Sequence, residues 1–300
     1  MRNRFTTGLG SAVLLVLLLA PGAASAVNPN ANEEQKRIVK KELRYWSADA
    51  LFETHFDVIR DNEYSNDVYH ILYLRANYDT PEMGFIPNLG RISLRLSVQR
   101  NYIADPDESG FLFGDIYLYW SKQFSFTVMG QKFGVRPYFY WTFPTSKESQ
   151  QQGNVARPTW LVALSKALPA NLYAFVRPYW RYNWHRYSTR EGGNPNLRWI
   201  LGYDMQLLYT FHLHDRLSFG ATWGQEFANY YGGVEGYDQP WQQWYYWEAF
   251  TGYTLLKKEP NLGLFLTLTS GRAVYEDGVP RFYFSERDET EIYITINASY

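Results

Sequence analysis

The chain has 300 residues and no cysteine, and its 29 Lys+Arg against 30 Asp+Glu leave a formal net charge of −1. That excludes a disulfide framework and a thiolate metal site, and it argues against a dedicated nucleic-acid binder, which needs a clustered basic face. A mean hydropathy of −0.40 argues against a helical membrane protein. Aromatics at 19 %, with 26 Tyr, 19 Phe and 11 Trp, suit a barrel with rings toward lipid and a polar inside.

Residues 1–26 read as a secretory signal peptide. Arg2 and Arg4 give a positive start, Ser11 to Ala20 is an apolar core, and Ala24-Ser25-Ala26 is a small-residue cleavage site. The rival reading, a membrane anchor, needs roughly 20 apolar residues, and this run is shorter. The mature chain is expected to begin near Val27. Residues 27–48 place Val39, Leu43 and Trp46 at helical spacing among Glu33, Lys36, Lys40, Lys41 and Arg44. This predicts a short amphipathic helix on the periplasmic side. It is read as a tail, a surface helix or a plug.

From residue 49 to 300 the pattern is that of strands. Segments of about ten residues alternate apolar and polar, with turn residues between them. In Arg91–Asn101, Ile92, Leu94, Leu96 and Val98 share one face; Arg91, Ser93, Arg95, Ser97, Gln99 and Asn101 share the other. The same period marks Leu51–Arg60, Asp67–Tyr78, Phe111–Lys122, Phe133–Phe143, Arg157–Leu168, Asn171–Tyr187, Leu197–His212, Arg216–Asn229, Gln243–Leu256, Leu262–Arg272 and Thr290–Tyr300. About twelve strands result, an even number, as in bacterial single-chain barrels. The expected fold is all-β: a transmembrane antiparallel up-and-down barrel.

Short connections at Ala167–Asn171, Leu213–Asp215 and Lys257–Asn261 alternate with long polar ones at Pro144–Ala156, Ser188–Pro195, Tyr231–Pro240 and Val274–Glu289. Outer-membrane barrels have short periplasmic turns and long extracellular loops, so the short set and both termini are expected in the periplasm. Asp79–Gly90 is long for its place. Trp141, Trp160, Trp184, Trp199 and Trp247 fall near the extracellular strand ends, and Trp120, Phe211, Tyr253 and Tyr300 near the periplasmic ends, as two aromatic girdles. Alternation alone does not tell inside from outside, so a soluble β-sandwich or lipocalin-like barrel is the competing reading.

If the apolar face meets lipid, parity gives the lining. The expected pore-lining charges are Arg75, Arg91, Arg95, Asp115, Arg136, Arg177, Arg181, Arg198, Asp204, Glu226 and Glu248, with Glu53 and Asp57 beside them. Their signs nearly balance, which suggests rows of opposite charge and a transverse field. The competing reading is an ion-pair network that only fills the barrel. Tyr73, Tyr117, Tyr119, Tyr138, Tyr140, Tyr173, Tyr179 and Tyr293 share the lumen, either as stacking surfaces or as filler.

No HExxH, GxSxG, P-loop or GxGxxG element is present, and no cofactor or metal is expected. The HxSNG-like stretch of outer-membrane phospholipase A, also a twelve-stranded barrel, is absent. His185, close in sequence to Ser188 at the outer rim, is a candidate hydrolytic pair or simply a solvated rim histidine. Arg186 and Arg190 sit where lipopolysaccharide phosphates lie.

Two resemblances add to this. Ile292, Ile294, Ile296, Ala298 and the terminal Tyr300 resemble the C-terminal signal read by the barrel-assembly machinery. Gly114-Asp115-Ile116, Phe143-Pro144-Thr145 and Ala163-Leu164-Ser165-Lys166 resemble the layout of barrels associated with uptake of aromatic compounds, with Ser146 where that pattern has Gly. The chain also resembles proteobacterial outer-membrane barrels at large. These imply a porin-like channel of the Gram-negative outer membrane, acting as a monomer. Its expected partners are membrane lipid, lipopolysaccharide, the assembly machinery and a small-molecule solute, with no nucleic acid. A closed structural or interaction barrel working through its loops is the second expectation, and a lipid-modifying enzyme the third.

Overall fold

A computed structural model describes residues 45–57, 68–82, 88–101, 110–189, 195–211, 216–231, 241–257, 261–273, 275–276, 279–280 and 290–300. The expected signal peptide, and the expected helix up to residue 44, lie outside the described residues.

Twelve antiparallel strands pair in chain order and close on themselves. They are β1 (Trp46–Asp57), β2 (Val68–Asp79), β3 (Arg91–Asn101), β4, β5 (Gln131–Phe143) and β6 (Asn154–Leu168), followed by β7 (Leu172–Tyr182, prolonged by Trp184–His185), β8 (Leu197–Thr210), β9 (Leu217–Tyr230), β10 (Trp241–Leu256), β11 (Asn261–Ala273) and β12 (Thr290–Ser299). Strand β4 runs in three pieces, Gly110–Phe113, Ile116–Ser121 and Phe124–Val128. The seam is β12 on β1, in register from Asp49↔Ser299 to Asp57↔Glu291. Mutual bonds between Ala48 and Tyr300 prolong it at 3.0 and 2.9 Å.

Trp46, Ser47 and Ala48 belong to β1, paired with Tyr78, Asn77 and Ala76, and not to a helix reaching residue 48. The period of two continues there, but alanines stand in for larger apolar groups and weaken it. The β4–β5 hairpin is also longer than the alternation predicts. It turns at Met129-Gly130, both with positive φ (50° and 76°), the two-residue turn whose twist matches paired strands. The break in β4 at Lys122-Gln123 faces Pro137, which has no N–H to give the ladder.

The faces settle what alternation left open. Ile92, Leu94 and Leu96 are 42–44 % exposed on the outside, while Ser93 between them is 6 % exposed. Among the described residues, sixteen polar or charged side chains are buried against six apolar ones. A soluble domain buries the opposite set, so this is a polar-inside barrel. Outward rings meet across strands, as in Trp160 stacked on Trp180 at 4.7 Å and Phe139 tilted against Trp160 at 5.3 Å.

The link after β5 folds back and is fastened. Gly114 donates to Ser97 O at 2.9 Å where β4 carries one residue more than β3, a bulge that redirects Asp115. The Asp115 carboxylate accepts from Ser146 N (2.9 Å), Ser149 Oγ (2.6 Å) and the Arg157 guanidinium. Ser146 caps the short helix α1 (Lys147–Gln151) through Ser149 N. On the far side, Asn196 Nδ2 donates to Gln152 O and Tyr187 O at 3.1 and 3.0 Å. The Gly114-Asp115 and Phe143-Pro144-Thr145 segments thus touch: Thr145 Oγ1 accepts from Ile116 N and donates to Gly114 O, both at 3.1 Å.

Two outcomes follow. Leu266→Arg, on the outer face in the middle of β11, lowers folding free energy in lipid by about 2–4 kcal/mol, measured by denaturant titration in vesicles; an unchanged midpoint contradicts the lipid-facing assignment. Asp115→Ala releases the loop, so trypsin cuts after Lys147 faster than in the parent barrel; equal cleavage rates contradict the fastening role.

Candidate functional site

The inward charges are sorted by strand. Arg75 (β2), Arg91 and Arg95 (β3), Arg136 (β5), Arg157 (β6), and Arg177 and Arg181 (β7) occupy one half of the wall. Asp204 (β8), Glu226 (β9), Glu248 (β10), Glu291 (β12), and Asp49 and Glu53 (β1) occupy the other. Each boundary between the halves carries an ion pair: Arg177 Nε to Asp204 at 2.5 Å, and Arg75 Nε to Asp49 at 2.9 Å. The two acids inside the basic half, Asp79 and Asp115, are each taken up by an arginine. Arg91 grips Asp79 with two bonds, at 2.8 and 2.7 Å, and Arg157 binds Asp115. Arg198, at the long-loop end of β8, has its guanidinium 5.8 Å from the Tyr231 ring centre.

The lumen widens into a cavity of about 400 Å³. Arg95, Arg157, Arg177 and Arg181 line it on one side and Asp204 and Glu226 on the other. Tyrosines complete the wall. Tyr117 and Tyr119 stack along β4 at 6.1 Å, Tyr138 and Tyr140 along β5 at 5.8 Å, and Tyr119 meets Tyr140 edge-on at 4.8 Å. Arg95 lies among rings, 4.1 Å from Tyr117, 5.1 Å from Tyr73 and 5.5 Å from Tyr119. Opposite, Tyr246 rests flat over Gly224, where a Cβ would come within 2.2 Å of its Cζ. A side chain at 224 would push that ring into the cavity. Tyr179 donates to Glu226, and Tyr246 reaches Asp204 at 3.4 Å. A second cavity of about 300 Å³, toward the short-turn end, holds Arg91, Arg136, Asp79 and Lys122.

The eleven predicted residues therefore separate into groups. Arg95, Arg177, Arg181, Asp204 and Glu226 meet in the main cavity, and Arg91 and Arg136 in the second. Arg75 is engaged at the wall, Asp115 holds the loop, Arg198 sits at the mouth, and Glu248 lies across from Thr222 and Thr269. The near balance of signs holds for the whole lining but not for the main cavity, where four arginines face two carboxylates. Arg157 was not among the predicted residues. Its strand reads Trp160-Leu161-Val162-Ala163-Leu164, apolar on both faces, so parity is silent there.

The His185 ring is engaged with backbone carbonyls and makes no hydrogen bond to Ser188 among the described residues. Its Nδ1 and Nε2 lie 3.2 and 3.1 Å from the carbonyls of Gln152 and Leu197, so the ring pins the loops. A second histidine fastens the closing seam. The His55 ring nitrogens sit 3.2 Å from Glu291 and 3.2 Å from Glu53, with Tyr69 and Tyr293 stacked on its faces at 4.4 and 4.7 Å.

No family model and no curated protein matches the sequence. In structure the chain is similar to an outer membrane channel from Pseudomonas putida F1, with a TM-score of 0.55 at 9 % identity over 85 % of this chain and 95 % of that one. It is also similar to the NanC porin, with a TM-score of 0.47 at 12 % identity over 84 % of this chain and 98 % of that one. The first likeness shows the fold, a closed antiparallel β-barrel.

Proposed function

We propose that the protein is a porin-like channel of the Gram-negative outer membrane through which small solutes diffuse passively, acting as a monomer and without a cofactor. The observation that carries this reading is the division of the lining into a basic half, β2 to β7, and an acidic half, β8 to β1. A network built only to hold the wall would pair its charges locally. Here pairs form at the two boundaries, at Asp79 and Asp115 and around His55 at the seam, while Arg95 and Arg181 remain without a carboxylate among the described residues. Charges held apart across a lumen with low-dielectric walls set up a field across the path, which favours polar and ionic solutes that turn to match it.

In this reading the short turns and both ends of the barrel chain face the periplasm, and the long loops face outward. Arg186 at the outer rim meets lipopolysaccharide, and the strand ending at Tyr300 is what the assembly machinery reads. The fastened link of residues 144–153 favours one second reading, a barrel closed at its mouth that acts through its loops.

Planar-bilayer recording separates the two. The refolded protein is expected to give discrete, ion-selective steps, and Arg95→Gln with Arg181→Gln together to shift the reversal potential toward cation preference in a salt gradient. Silence from a folded, heat-modifiable barrel supports the closed reading; unchanged selectivity and conductance in the double variant removes these two arginines from the path.

A further inference from the structure

The main cavity holds more positive charge than it neutralises. Counting Asp115 with Asp204 and Glu226 against the four arginines leaves one positive charge. That charge sits on Arg95 and Arg181, which have no carboxylate among the described residues, since Arg157 and Arg177 have theirs. Arg95 is held by tyrosine rings and not by an anion, its guanidinium 4.1 Å from Tyr117 and 5.1 Å from Tyr73. Arginines that line a cavity and have no carboxylate keep N–H donors for an incoming anion.

The rest of the wall states the shape of that anion. A guanidinium fork matches a carboxylate with two parallel bonds. The rings of Tyr119 and Tyr140 offer an aromatic corner, and Leu161 adds an apolar flank that is continuous with the buried cluster of Tyr179, Ile200 and Ala228. Asp204 and Glu226 repel a second negative charge from the far side. A volume of about 400 Å³ is within the range of small-molecule sites.

We propose that this cavity is a binding site for a small organic monocarboxylate, its carboxylate taken by Arg95 and Arg181 and its apolar body laid against Tyr119, Tyr140 and Leu161. The inference deepens the channel reading and rests on the lumen being reachable by solute. Benzoate is the probe, with benzyl alcohol as the neutral analogue and inorganic phosphate as the bare oxyanion.

Calorimetric titration of the detergent-folded protein measures the site without requiring conduction. Benzoate is expected to bind at least about tenfold more tightly than either comparator, and Arg95→Gln and Arg181→Gln each to weaken it by roughly fivefold or more. Heat-modifiable mobility on gels shows that each variant is folded. Benzyl alcohol binding as tightly as benzoate, or benzoate binding untouched by both variants, overturns the site. Bilayer recording then tells the two readings apart. Benzoate binding with a silent bilayer keeps the site and overturns the pathway; a conducting barrel that binds no benzoate keeps the pathway and overturns the site.

Discussion

In hydrocarbon no water is present to satisfy backbone N–H and C=O groups, so every strand of a membrane-spanning sheet needs two neighbours. The seam between β12 and β1 meets that demand, and the rest of the structure depends on it. Closure removes the sheet's edges. It also forces the two faces of each strand into different solvents. His55, Glu53, Glu291 and Tyr293 reinforce the seam from within, tying the first strand to the last by side chains as well as backbone.

Once the faces differ, the interior carries the chemistry. An inward polar group is costly unless paired, and most here are paired. Asn77, almost fully buried, bonds Ser47, Asp49 and Ser93 at 3.2, 2.7 and 2.6 Å. Arginines and carboxylates on opposite halves cannot all meet, because tyrosines and the width of the cavity stand between them. The field across the lumen is thus a consequence of strand order together with the choice of charge on each strand. The aromatic wall has a similar origin: Gly224 makes the recess into which Tyr246 settles, so that a large ring lines the cavity without closing it.

Much of this was legible in the sequence because lipid and lumen impose opposite demands on adjacent residues. Arg91–Asn101 shows it fully, and its bounds match β3. Legibility fails where the contrast fails. In Trp160–Leu164 both faces are apolar, which hid Arg157, and at Trp46–Ala50 small residues blurred the start of β1. Rows of opposite charge were legible in outline, since strands pairing in chain order place Arg75 to Arg181 on one half; the near-equal totals alone do not show which strands carry which sign. The contact of Asp115 with Ser146, Ser149 and Arg157 joins residues as many as 42 apart around a bulge, and no local pattern announces it.

Because the chain has no cysteine, the central claim, a barrel with lipid outside and an open polar lumen within, has a direct measurement. Single cysteines at Ile92, Leu94, Arg95, Leu96, Ser97 and Gln99, one per variant, are exposed in lipid vesicles to a membrane-impermeant thiol reagent. The account predicts reaction at 95, 97 and 99 and protection at 92, 94 and 96. Reaction at the even positions with protection at the odd ones would contradict the orientation, and protection at all six would contradict an open lumen.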